Sequence, residues 1–537
     1  MGTIRGFIHG WTLQSEDTHE ERLAQIQSSV QGKGRSAASV LSDAVHANTS
    51  RDLGNLGSKL RVGSTMSNGS QEVQSIYVRP FHAAQIVEPR LSDAKISWWT
   101  TVCADDPLMR DLLKVWFRCE FQFSAVFQKD LFLEDLVAQK QDFCSSLLVN
   151  IVLAYACVCY PQFSNRVEYW NPNTLVYRFL AEAKRLWELQ ASEAQITTIQ
   201  AGILFSVFHN LCGLDEIGQP YRVHSVVLAQ KLRLLSKNSC GNDDPKRKGW
   251  AFTAWALYNW ETLVSFSFMI PPSVKEPPDW PLPDPANDGG WYAEIWLKYP
   301  LVPDLQPTHL GHILRERARF RVIMNQYCDA AFSSEGTFSL DEAKRLHEQL
   351  KSWYGDLPEP LKPKTIALPG HFQLQGSDAT LKRIIADAKK YLQTLIRLYY
   401  LRHGYEAMDL FMVIPLMLTG YDCINAILEE THEYRIETLR STLILVAKGL
   451  HCQRHNHYLA EALFRVLRGR MRPQEVALLR SSMAFDDDRG EEKHDMVQAV
   501  RSRWPVTIVS KPENVNDHIL TELVETYGSL SMEGNIQ

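Results

Sequence analysis

A chain of 537 residues, 45% hydrophobic and 22% charged with 14 tryptophans, has the makeup of a folded globular protein with a large core, which excludes wholesale disorder. Its formal net charge of −5 and isoelectric point near 6.4 exclude an overall attraction to a polyanion, so any nucleic-acid contact has to be local or supplied by a partner. The 10 cysteines are scattered, several in apolar helical stretches where a thiol packs as a small hydrophobe, and this points to a reducing compartment.

In chain order, residues 1 to about 75 are rich in Ser, Gly, Asn and Gln, too poor in apolar surface to offset their ordering entropy, and are expected to form a disordered lead. No apolar run follows a basic segment there, and Gly6 stands where a myristoylation motif needs Ser or Thr. From Tyr77 onward helical spacing dominates and no sustained alternating strand runs appear, so an all-α fold is expected. The longest apolar run, Leu147 to Tyr160, is broken by Asn150 and falls short of the roughly 20 residues that span a bilayer; it reads as a buried core helix. Ile199, Ile203, Val207 and Leu211 recur every fourth residue, and Tyr221, Val226, Leu228, Ala229, Leu232 and Leu235 form a second stripe, with Gly213 and Gly218 punctuating the turn between two helices. Between Pro271 and Pro307 stand ten prolines, which exclude a long helix, while Trp280, Trp291 and Trp296 argue for an ordered crossover lying on the body. This crossover divides a first half, about 76–270, from a second, about 308–480. In the second half helices are expected near 308–331, 339–354, 378–403, 436–457 and 457–468; the clearest stripe is Leu381, Ile384, Ile385, Ala388, Leu392, Leu395, Ile396 and Tyr399. Residues 481–537 begin with a solvated acidic stretch, Phe485 to Asp495. They end in a tail where, from Lys511 on, five acidic residues face one Lys around Ile519, Leu520, Leu523, Val524 and Tyr527. Such a tail fits two roles, an activation segment that folds onto a coactivator or a C-terminal helix docked on the body.

The run TTIQAGILFSVFHNLCGLDEIGQPYRVHSVVLAQKLRLL (Thr197 to Leu235), with DPLMRDLLKVWFRCEF (Asp106 to Phe121) and DFCSSLLVNIVLAYAC (Asp142 to Cys157), resembles the middle homology region of fungal binuclear zinc-cluster transcription factors. Lys246 to Pro285, where a basic group opens an aromatic-rich helix before a proline loop, and ETLRSTLILVAKGL (Glu437 to Leu450) are similar to later pieces of that region, so the resemblance runs from about Ser75 to Leu479. It implies an all-α regulatory domain, a nuclear location, partners among other transcription factors or coactivators, and control of specific genes such as a biosynthetic cluster. Family members usually carry six cysteines holding two zinc ions before this region. Here the first cysteine is Cys103, so the zinc cluster is expected to be absent from this chain and DNA to be reached only indirectly or through a missing N-terminal module. A small-molecule effector, where one binds, is expected between the halves near Trp280, Trp291 and Trp296, and a homodimer is a further expectation.

Candidate chemical sites are few. His451 and His455 stand one helical turn apart, with Cys452 and His457 nearby, a spacing that can chelate zinc, but no acidic or further Cys partner adjoins them and no metal site is assigned. Cys157 with Cys159, and His209 with Cys212, sit in apolar helices and read as core. Asp487-Asp488-Arg489-Gly490-Glu491 echoes the DDxxE of magnesium-dependent terpene cyclases, yet lies in a charged loop after the last strong helix. No phosphate loop, nucleophile elbow or HExxH occurs, so no catalytic residue and no cofactor is assigned, and the chain is expected not to be an enzyme. Pro245-Lys246-Arg247-Lys248 has the makeup of a nuclear import signal, and Arg465, Arg468, Arg470 and Arg472 of a phosphate contact, against the simpler reading of solvated helix faces. The alternatives to a regulator are an all-α enzyme of terpene-cyclase type and a cytoplasmic scaffold derived from the same family; no membrane contact is expected.

Overall fold

The structure, a computed structural model, describes residues 81–237, 244–300, 302–333, 338–362, 381–482, 500–504 and 519–527. The expected disordered lead, the DDxxE-like stretch at 487–491 and Gly528 to Gln537 lie outside the described residues. The fold is helical. In the first half run α1 (Asp106–Cys119), α2 (Lys129–Ala138), α3 (Ser146–Cys159), α4 (Leu175–Gln190), α5 (Ile196–Leu211), α6 (Asp215–Leu232) and α7 (Asp244–Phe268). After the crossover come α8 (Leu310–Phe332), α9 (Leu340–Gly355), α10 (Leu381–His403), α11 (Val413–Glu429), α12 (Glu433–Gln453), α13 (Tyr458–Arg470), α14 (Pro473–Ser482) and α15 (Leu520–Tyr527).

Side-chain caps set several helix starts. Asp105 accepts from the Leu108 amide at 3.0 Å, Ser145 from Leu148 and Thr174 from Tyr177, each satisfying one amide the first turn leaves free. Ser339 and Glu342 exchange bonds as a capping box at the start of α9. Helix α3 is buried on every side, and its one polar interior residue is matched: Asn150 accepts from the Thr100 hydroxyl at 2.7 Å and donates to the Trp99 carbonyl. Among the described residues no helix is long and apolar enough to cross a membrane.

Gly213 lies at φ +70, as a turn between α5 and α6 requires, but Gly218 is inside α6 rather than in that turn. A Cβ at Gly218 would meet the His209 Cβ at 3.0 Å, so this glycine permits helix contact. A short antiparallel sheet also forms, β1 (Gln85–Val87), β2 (Trp296–Lys298) and β3 (Gln306–Pro307), with Ile86 opposite Leu297. These strands of two or three residues are too brief to show an alternating pattern.

The sheet pins the crossover. Within it the Trp280 indole is buried and donates to the Leu234 carbonyl at 2.6 Å, while the Trp280 carbonyl accepts from the Trp255 indole. Glu294 gathers the backbone amides of Ile295, Thr308 and Leu310 together with the Thr308 hydroxyl, fixing the entry to α8. One contiguous core runs from Phe81 to Val524 and takes side chains from both stretches flanking the crossover. A smaller cluster, including Phe266, Phe320, Tyr327 and Trp353, joins the end of α7 to α8 and α9.

Candidate functional site

Where the two stretches meet, the turn after α1 carries Glu120, which is 1% exposed. Its carboxyl accepts from the Tyr155 hydroxyl at 2.7 Å and from the Leu410 amide at 3.0 Å, joining α3 to the segment before α11. Burial, and then the nearby Asp409 carboxyl, push Glu120 up to about 8. A second tie runs from the Arg166 guanidinium to the Asn456 side chain at 2.8 Å.

Along this seam lies a shallow apolar groove lined by Phe123, Trp260, Leu263, Val413, Leu459 and Trp504, with Asn210 of α5 and Leu410 of the loop before α11 also at its edge. Trp504 comes from far along the chain and packs edge-on against Phe268, ring centroids 5.7 Å apart. The segment that delivers it is held by backbone bonds: the Arg501 amide donates to the Gly213 carbonyl at 3.0 Å, and the Glu216 amide to the Arg501 carbonyl at 3.2 Å. Asp215, at the start of α6, accepts from the Arg503 amide, and burial raises its carboxyl to about 6. Thr521 bonds Ser502, and α15 buries Leu520, Leu523 and Val524 on the side of α13. Of the two roles expected for the tail, its described part adopts docking on the body. The lining is mainly apolar, so what the groove offers is burial of an apolar group.

The residues singled out in the sequence are not gathered here. Trp280, Trp291 and Trp296 do not line the groove: the first is buried in the crossover, the second packs on Phe252 and Tyr292, and the third is 43% exposed on β2. Trp280 and Trp291 hold the connection down. His457 caps α13 by accepting from the Ala460 amide, and burial lowers it to about 3; His451 sits edge-on to His455 and Phe464 and falls to about 4. Burial pushes the Cys452 thiol up to about 12. His209 bonds the Phe205 carbonyl and stacks on Tyr221, and Cys157, Cys159 and Cys212 are buried. Among the described residues no three potential ligands stand together.

Neither basic cluster is a bare solvated face. Lys246 lies over the Trp250 ring, Arg247 over Trp280, and Lys248 donates to the Gly290 carbonyl, so this run helps fasten the crossover. Arg465 pairs with Glu461, Arg472 with Glu475, and Arg470 covers Tyr421. Sequence reasoning missed Glu120, whose partner Leu410 lies 290 positions away, and Phe123, whose ring meets the distant Trp260 and Phe411, since nothing local marks either.

Residues 115–355 match the family described as the fungal specific transcription factor domain, a span running from within α1 to the end of α9. The chain is 25% identical over 313 residues to the nitrogen assimilation transcription factor nit-4 of Neurospora crassa, covering 53% of this chain and 28% of that protein. It is 27% identical over 307 residues to the notoamide biosynthesis transcriptional activator notL' of Aspergillus versicolor, covering 52% and 46%. It is 25% identical over 303 residues to the nitrogen assimilation transcription factor nirA of Emericella nidulans, covering 52% and 33%. The matched region thus spans less than half the length of each of these relatives. No solved structure matches the chain. The helical body from within α1 to the end of α9, with the crossover, is thus similar over residues 115–355 to the fungal specific transcription factor domain.

Proposed function

We propose that the chain is a fungal transcriptional regulator that controls specific genes from the nucleus and works through protein contacts of its helical body rather than through chemistry. The observation that carries this reading is the domain match over residues 115–355, together with relatives that are each named as a transcription factor or transcriptional activator. The notL' relative is named for a biosynthetic pathway, which is in keeping with a gene cluster as the target. DNA contact is assigned to something outside the sequence at hand, a partner chain or a further segment of the polypeptide, because residues 1–102 hold no cysteine and the chain as a whole is net acidic. In this reading the docked segment around Trp504 and α15 acts as a clasp: while seated it holds the apolar side of the tail against the body, and released it offers that side to a coactivator.

The test is a tethered reporter. The full chain, fused to an unrelated DNA-binding domain and followed by a fluorescent tag, is expected to accumulate in nuclei and to change reporter output from the tethering site. A cytoplasmic tag with reporter output equal to that of the DNA-binding domain alone would favour the scaffold instead.

A further inference from the structure

The outer face of α6 is apolar where a surface helix is ordinarily polar. Its inner face is taken up by the body: the Ser225 hydroxyl donates to the Ile199 carbonyl of α5, and Arg222 pairs with Glu261 of α7. On the outer face Pro220, Val223 and Val227 recur at i, i+3 and i+7, and all three are exposed, Val223 by 44% and Val227 by 40%. Ile217, also exposed, and His224 stand at one edge of this face, seven residues apart. There the His224 ring donates to the Ala191 carbonyl at 2.6 Å, which brings the end of α4, with the exposed Leu189, alongside. An apolar strip of this kind, rimmed by the exposed Gln219 and Gln230, marks a contact surface.

The charges at the two ends of the strip say what it contacts. Glu216 lies four residues before Pro220 and Lys231 four residues after Val227, both exposed and neither in an ion pair among the described residues. Fifteen residues of helix, about 22 Å, separate them. From Glu216 to Val227 the row is spaced 4-3-4, the seam spacing of two helices packed lengthwise. Two copies of α6 laid antiparallel about an axis at Val223 set Pro220 of each against Val227 of the other, and Glu216 of each against Lys231 of the other. Laid parallel, they would bring like charges together at both ends. The face is therefore complementary to itself, as a contact about a two-fold axis requires.

We propose that the outer face of α6 docks on the same face of a second copy of this chain, with the two helices antiparallel about Val223. Helix α6 starts beside the clasp, since the Glu216 amide donates to the Arg501 carbonyl, so pairing places the two clasps at opposite ends of the contact. The effect of pairing on clasp release rests on the proposed function; the pairing itself does not.

Sedimentation velocity of the purified full chain between about 1 and about 100 µM tests this, and a concentration-dependent shift from monomer to dimer is expected. Val223→Glu is expected to weaken association about tenfold or more while leaving the thermal midpoint of the monomer in place, because the position faces outward. Glu216→Lys and Lys231→Glu should each weaken it severalfold, and the double reversal should restore it, a rescue that no unrelated contact would give. A monomer throughout the range overturns the proposal, as does a dimer indifferent to Val223→Glu or a double reversal no stronger than the single ones. Each of these results leaves the regulator reading intact, because that is decided by the tethered reporter.

Discussion

At the scale of single residues the seam's chemistry sets how the fold answers to pH. Glu120 has an ordinary value of 4.5 and stands at about 8 in the fold, raised first by burial. Between those values the unfolded chain has lost the proton that the folded chain keeps, so stability falls as pH rises through the window. His209 and His451 at about 4 and His457 at about 3 act in the opposite sense, adding stability as pH rises toward 6.5, while Asp409 and Asp215, each raised to about 6, remove it over part of the same range. The opposing trends offset one another below pH 6.5, and of these groups Glu120 alone acts above it. We therefore expect the unfolding midpoint to drop between pH 6.5 and 8, by about 2 kcal/mol of stability from 1.36 kcal/mol per unit. Glu120→Gln should flatten the drop while keeping the Tyr155 and Leu410 contacts; an unchanged slope would mean the proton resides elsewhere. None of this was legible in the sequence, because Glu120 reads there as one charged residue at the end of an amphipathic helix, and its burial depends on Leu410.

At the scale of elements, close helix contact decides what the α5–α6 pair tolerates. A Cβ at Gly202 would run into the Ser225 hydroxyl and approach the Trp187 ring at 3.0 Å and the Tyr221 carbonyl at 3.1 Å. Alanine is the better helix former by about 1 kcal/mol, yet overpacking at such a contact costs about 1–3 kcal/mol, so Gly202→Ala is expected to lower the urea midpoint. A raised midpoint would show that the helices can part without loss. Periodicity found most of these elements: the stripe through Ile199 to Leu211 became α5, the helix expected near 339–354 became α9, and those near 308–331 and 457–468 became α8 and α13. The stripe from Leu381 lies on α10, whose described part buries Ile396 and Tyr399. It failed where a residue type serves two ends. Gly218 has the look of turn punctuation and is instead a contact glycine within a helix, and α6, with Pro220 inside it, carries a breaker that tertiary packing overrides. The three-stranded sheet was illegible because strands this short show no period.

At the scale of the whole molecule, the crossover and the clasp make one body of a chain whose sequence suggested two halves and loose ends. The core draws side chains from both flanks of the crossover, while the family match covers residues 115–355. Trp504 is the side chain by which the C-terminal segment enters the groove, and Trp504→Ala removes an indole that is 9% exposed, at a cost of about 3 kcal/mol. That loss falls on a segment fixed by a few backbone bonds, so local release should precede global unfolding. Limited trypsin digestion is expected to cut at Arg501 and Arg503 sooner in the variant, with the body retained; equal cleavage would mean the clasp does not depend on the indole. The central claim, that the protein acts on gene expression, is tested most directly by the transcript profile of a strain lacking this chain, compared with the same strain after its restoration. A defined set of transcripts that changes on loss and returns on restoration is the result the account predicts, and a profile unchanged by either would contradict it.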